Sequence, residues 1–158
     1  MTAAFEGTLD ICERHAERLR WAMSTLGDKF PLSPPDLGGL SDIDLAVVDQ
    51  FIMRFSKLQD AMGAKLLPDV LELTKEPGEL PAFIDKVNRL EKIGAIPSAF
   101  QWLQLREMRN QFSHEYPDDP DIQASLLNKA FRLASALLDT LEHIKAFSAP
   151  YLADARRR

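Results

Sequence analysis

Apolar residues recur along this chain every three or four positions, with polar residues filling the gaps. From about residue 3 to 27, Phe5, Leu9, Cys12, Ala16, Leu19, Met23 and Leu26 form one stripe of an amphipathic helix. Gly27 and Asp28 supply its stop. Segment 28–41 then carries Pro31, Pro34, Pro35, Gly38 and Gly39. That density of breakers predicts a long loop and no helix. Ser41 or Asp42 caps a second helix, with Leu45, Val48, Phe51 or Ile52, Phe55, Leu58 and Met62 on its buried face. Pro68 ends or kinks it, and 68–75 reads as a further short helical piece. Residues 76–81 read as a turn. Phe83 or Ile84, Val87, Leu90 and Ile93 mark a third helix, closed by Gly94. Ser98 and Gln101 have the spacing of a reciprocal capping box, opening a fourth helix with Trp102, Leu105, Met108 and Phe112 inside. Tyr116 to Pro120 reads as a turn. Asp119 caps a fifth helix with Pro120 in its first position, and Ile122, Leu126, Ala130, Leu133, Leu137, Leu141, Ile144 and Phe147 carry it to Pro150. No stretch alternates with the period of two that a strand needs. The pattern predicts one all-α domain over residues 1–150, an antiparallel up-and-down bundle of four or five helices, followed by a basic C-terminal tail at 151–158.

Composition narrows the class. With 158 residues, 46% of them apolar and 27% charged, the chain has the make-up of one globular domain with a sizeable core. A single cysteine excludes an internal disulfide framework and a cysteine-based zinc cluster, and fits a reducing, cytoplasmic setting. The 24 acidic and 19 Lys/Arg side chains leave a net charge of −5. That balance argues against coating long nucleic acid through many phosphate contacts, though it leaves room for a local basic site. The first twenty residues are charged throughout, so no export signal is expected. No apolar run approaches the roughly 18 residues of a membrane span, so no membrane partner is expected.

The residues that carry chemistry are few. Glycine loops that cradle phosphates, in the G-x-x-x-x-G-K-S/T or G-x-G-x-x-G spacing, are absent from the sequence. His15, His114 and His143 are scattered, without H-x-x-x-H or E-x-x-H spacing, and the carboxylates lack the pattern of di-iron bundles. Neither a metal nor a cofactor is expected. Cys12 falls on the apolar stripe and reads as a small core residue. One segment differs, Leu105-Arg106-Glu107-Met108-Arg109-Asn110-Gln111-Phe112-Ser113-His114-Glu115-Tyr116. On a regular helix Asn110 and His114 share a face, whereas Arg109 and His114 stand about 140° apart. They converge only if the arginine wraps, the helix end unwinds, or a second copy completes the site. A histidine takes and returns a proton near neutral pH, and an arginine fork suits phosphate oxygens and the charge that builds on them. Together they suit RNA cleavage by its own 2′-hydroxyl, with His114 as acid or base, Arg109 on the phosphate and Asn110 in support. The alternative is structural: a cationic pair at a helix C-terminus that complements the dipole and caps carbonyls. Ser56, Lys57 and Asp60 read as a solvated polar face, with an orientation toward a cleft as the other possibility.

The run Arg109-Asn110-Gln111-Phe112-Ser113-His114-Glu115-Tyr116 resembles the R-N-x-x-x-H-x-Y signature of the HEPN superfamily. Arg54-Phe55-Ser56-Lys57-Leu58-Gln59-Asp60 and Asn88-Arg89-Leu90-Glu91-Lys92 are similar to its bacterial branch that accompanies a minimal nucleotidyltransferase. The resemblance covers roughly residues 45–145. It implies a helical homodimer whose Arg109 and His114 line a shared cleft, and a metal-independent endoribonuclease acting as the toxin of a toxin–antitoxin pair. It also implies a cognate nucleotidyltransferase antitoxin that transfers AMP to Tyr116. The alternative within the same resemblance is a non-catalytic nucleotide- or substrate-binding subunit that docks with the transferase.

Overall fold

The computed structural model describes residues 2–75, 80, 82–114 and 119–158. Among these the chain is all-helical. Helix α1 (Thr2–Leu26) runs into a single 3₁₀ turn at Gly27–Lys29, followed by α2 (Pro34–Gly38) and α3 (Asp42–Ala61). A π-helical turn, Met62–Leu66, carries α3 directly into α4 (Leu67–Leu73). Then come α5 (Phe83–Lys92), α6 (Ala99–Phe112) and the long α7 (Pro120–Arg157). The turns expected at 76–81 and 116–120 fall largely outside the described residues.

Most helix starts follow the local chemistry. Ser41 accepts from the Asp44 amide while Asp44 accepts from the Ser41 amide, a complete capping box. At α6 only half of the expected box forms: Ser98 accepts from the Gln101 amide, with no return bond from Gln101. Asp119 caps α7 through the amides of Asp121 and Ile122, with Pro120 in the first turn where its missing N–H costs nothing. Gly94, at φ +86°, ends α5 with Ala95 N–H donating to Leu90 C=O and Gly94 N–H to Glu91 C=O, a Schellman motif.

Three expectations need correction. The Pro/Gly segment at 28–41 contains a helical turn after all. Ser33 and Asp36 form a capping box, and Pro34 and Pro35 occupy first-turn positions where proline is compatible with a helix. Asn128 of α7 then brackets Leu32, accepting from its N–H at 2.7 Å and donating to its C=O at 2.8 Å, while Phe30 stacks on Phe131 at 4.2 Å. Helix α7 does not close at Pro150, and residues 151–157 are helical and not a free tail. Ala146 and Pro150 are both exposed, so water can satisfy the carbonyl that proline leaves without an N–H. Leu152 buries beyond it, and Arg156 pairs with Glu6 of α1. Leu45 and Ile122, both assigned to apolar inner stripes, are instead 41% and 43% exposed near the starts of α3 and α7.

One core joins the elements. Helix α3 packs on α1 and on α6, α7 packs on α1, α2 and α6, and α5 packs on α6. Phe5, Cys12 and Leu19 of α1, Phe51, Phe55 and Met62 along the 42–66 stretch, and Trp102, Leu105 and Met108 of α6 belong to one buried cluster. No helix among the described residues is long and apolar enough to cross a membrane.

Candidate functional site

The buried stripe of α6, Trp102, Leu105 and Met108, sets the helix's rotation. With these three inward, Arg106 and Arg109 lie on the flank toward α3 and α5. Arg109 Nε donates to Asp60 Oδ1 at 2.7 Å and its Nη2 donates to Oδ2 at 3.0 Å, a two-pronged ion pair between α6 and α3. Those hydrogen bonds, and secondarily the Asp60 charge, hold the Arg109 pKa above its ordinary value against slight burial. Arg106 lies over the ring of Phe83, 4.2 Å from its centroid. A cleft of about 330 Å³ opens beside the pair, lined by Gln59, Asp60, Gly63, Ala64, Phe83, Trp102 and Arg106. The π turn forms one wall. Its Gly63 is there for close approach, since a Cβ would stand 3.3 Å from Trp102 Cζ2.

Helix α6 stops at Phe112, whose ring meets Phe55 edge-on at 5.6 Å. Ser113 is the C-cap, its hydroxyl donating to Asn110 C=O at 2.6 Å. His114 follows one residue later, exposed, its backbone N–H donating to Gln111 C=O at 3.3 Å. The regular helix ends two residues before the histidine, although Ser113 keeps right-handed helical angles (φ −82°, ψ −10°). Asn110 is exposed on α6. No hydrogen bond or ion pair joins Arg109 to His114 or to Asn110 among the described residues. Tyr116 lies outside those residues.

The pairing of Arg109 bears on the capping alternative as well. Its fork reaches across to Asp60 and not to the last carbonyls of its own helix. Asp60 corrects the reading of residues 56–60 as a solvated polar face: it is half-buried and engaged, whereas Lys57 is exposed. No local signal marks Asp60, because its partner lies 49 positions along the chain. Its place in the Arg54–Asp60 stretch is the sole hint that the sequence offers. Cys12 is fully buried, and burial first, then the neighbouring Glu13 charge, push its thiol up to about 12. It is a core residue.

No family model, curated protein or solved structure matches this chain. The site therefore rests on its own chemistry. It offers a fixed guanidinium at the rim of a cleft, a neighbouring arginine on an aromatic ring, and an exposed imidazole just past a helix end. Among the described residues no group of three or more His, Cys, Asp or Glu side chains is placed to hold a metal ion.

Proposed function

We propose that this chain is a metal-independent endoribonuclease of the HEPN type, the toxin of a pair whose antitoxin is a minimal nucleotidyltransferase. The observation that carries the reading is the Asp60–Arg109 ion pair, which fixes a guanidinium five residues ahead of the exposed His114. Two of the five N–H donors of Arg109 are used by Asp60, and the rest are left for non-bridging phosphate oxygens. In the reaction the substrate's 2′-oxygen bonds to phosphorus as its proton leaves, and the bond from phosphorus to the 5′-oxygen breaks as that oxygen gains a proton. His114 serves one of these transfers and Arg109 steadies the pentavalent phosphate. Two copies contribute residues to one cleft, and within each the helices run up and down in an antiparallel bundle. The protein works in the cytoplasm, and AMP placed on Tyr116 by the partner silences it.

Partner-free protein incubated with RNA in the presence of a chelator tests this directly. Arg109→Ala and His114→Ala are each expected to slow cleavage by about 10²-fold or more. RNA left intact by the wild type, or cut equally fast by His114→Ala, overturns the proposal. A non-catalytic docking subunit is the second reading, favoured by the same ion pair, because Asp60 already neutralises the charge of Arg109. It predicts that the double variant still binds the transferase and that function is unchanged.

A further inference from the structure

His15 is half-buried on α1 and faces α3, where its Nδ1 lies 3.0 Å from Nη1 of Arg54. A guanidinium carries donors only. Arg54 therefore donates and Nδ1 accepts, so the ring is neutral with its proton on Nε2. Burial first, then the charges of Arg54 and Lys57, push His15 below the usual imidazole pKa and favour that form. Arg54 is itself half-buried, and its Nε is closed off from solvent with no acceptor. Among the described residues no carboxylate pairs with Arg54 or Lys57, whereas Arg20, Arg109 and Arg156 each have one and Lys145 has two. A guanidinium held against a neutral ring has lost hydration without gaining an opposite charge, a costly arrangement. An anion beside the half-buried Arg54 and the exposed Lys57 would supply the missing charge, without reaching the sealed Nε.

The position of Lys57 indicates what kind of anion. It stands three residues after Arg54 and three before Asp60, a neighbour of both on α3. Arg54, Lys57 and the Asp60–Arg109 pair thus form one ridge about 9 Å long, running from the His15 cluster to the candidate site. A single strand of nucleic acid presents successive phosphates along such a ridge, and the arginine fork suits their oxygens. We propose that His15, Arg54 and Lys57 form a phosphate-binding site that holds a backbone phosphate of a single strand whose neighbouring segment reaches Arg109. The link to Arg109 rests on the function proposed above; the anion site itself does not.

The test is fluorescence anisotropy with the full chain and a short single-stranded deoxyoligonucleotide, which lacks the 2′-hydroxyl and stays uncut. Arg54→Gln and Lys57→Gln should each weaken binding about tenfold and flatten the log–log salt slope by about 0.7. Lys129→Gln removes the same charge from an exposed position on α7 and should leave affinity within about twofold. Lys57 is exposed, so its variant keeps the fold even if Arg54→Gln does not. Inorganic phosphate forms the second arm, followed by chemical shifts of the His15 ring. Phosphate binding that Arg54→Gln abolishes, with the oligonucleotide indifferent to both variants, retains the site and makes a free phosphate group its occupant. If the wild type binds neither ligand, or if all three variants behave alike with both, the site is overturned. Strand binding as expected without any RNA cleavage keeps this site and removes the nuclease. Cleavage indifferent to Arg54 and Lys57 does the reverse.

Discussion

Arg109 and Asp60 are two flexible side chains that gain precision by holding each other. The pair is only partly shielded, with side chains 30% and 43% exposed, so its worth to stability is small, about 1 kcal/mol or less. In the proposed nuclease its contribution is geometric, because a misplaced guanidinium meets the phosphate at the wrong angle. Asp60→Asn should therefore lower kcat about tenfold, leave KM within about twofold and barely move the melting temperature; steady-state kinetics beside a thermal melt check this. A purely structural Asp60 would move the melt and not kcat. Cys12 makes a different residue-scale prediction. The folded thiol ionises near 12 and the unfolded one near 9.0. Between those values the unfolded chain has lost a proton that the folded chain keeps, so stability falls as pH rises, by about 1.4 kcal/mol per pH unit. Cys12→Ala should flatten that alkaline fall in denaturant titrations, and native Cys12 should resist thiol reagents at neutral pH.

At the scale of elements, helix ends obey local chemistry while helix interiors obey packing. Gly94 is an end whose requirement is conformational only. Its φ of +86° excludes most side chains, yet nothing lies within 4 Å of the place a methyl group would take. Gly94→Ala should cost about 1–2 kcal/mol, read as a melting temperature lowered by about 2–8 °C. A methyl accommodated at no cost would mean that the turn relaxes. The π turn at Met62–Leu66 illustrates the opposite case. Leu67 N–H bonds back to Met62 C=O, five residues earlier, so the helix takes up an extra residue just before Pro68. The stripe through Leu58 and Met62 was legible as buried surface, and Pro68 as a disturbance. That the helix widens instead of ending is decided by its tertiary neighbours, α1 packed on the turn and Trp102 standing close to Gly63. Likewise Pro34 and Pro35 look like breakers until Ser33 and Asp36 make them a first turn.

The whole molecule is tied together by its two ends. Glu6, Glu13 and Arg20 of α1 face Arg156, Lys145 and Glu142 of α7, and Leu152 buries beneath the last of these turns. Each exposed ion pair contributes little, but the buried leucine is worth about 2 kcal/mol. A chain ending at Ala149 should still fold and melt about 4–8 °C lower, as measured by calorimetry. An unchanged melt would make residues 151–158 the free tail expected from the sequence. The same scale governs charge. A net −5 discourages broad capture of nucleic acid, while the proposed strand site would use two α3 cations, Arg54 and Lys57, that have no carboxylate partner among the described residues.

The sequence by itself determined the helices, because an apolar stripe at helical period and a capping side chain act within a few residues. It determined most of the buried faces for the same reason, missing at Leu45 and Ile122 near helix starts, and it marked the 105–116 segment by residue type. Tertiary structure alone decided what the polar side chains on the helix flanks meet. Asp60 finds Arg109 across 49 positions and His15 finds Arg54 across 39, and no periodicity encodes which neighbour a helix flank receives. It also decided that α7 continues past Pro150, where Leu152 is buried, and where the locally capped α2 turn is docked, through Asn128 on Leu32. Periodicity is a local record of the core, and a site is made where distant flanks meet.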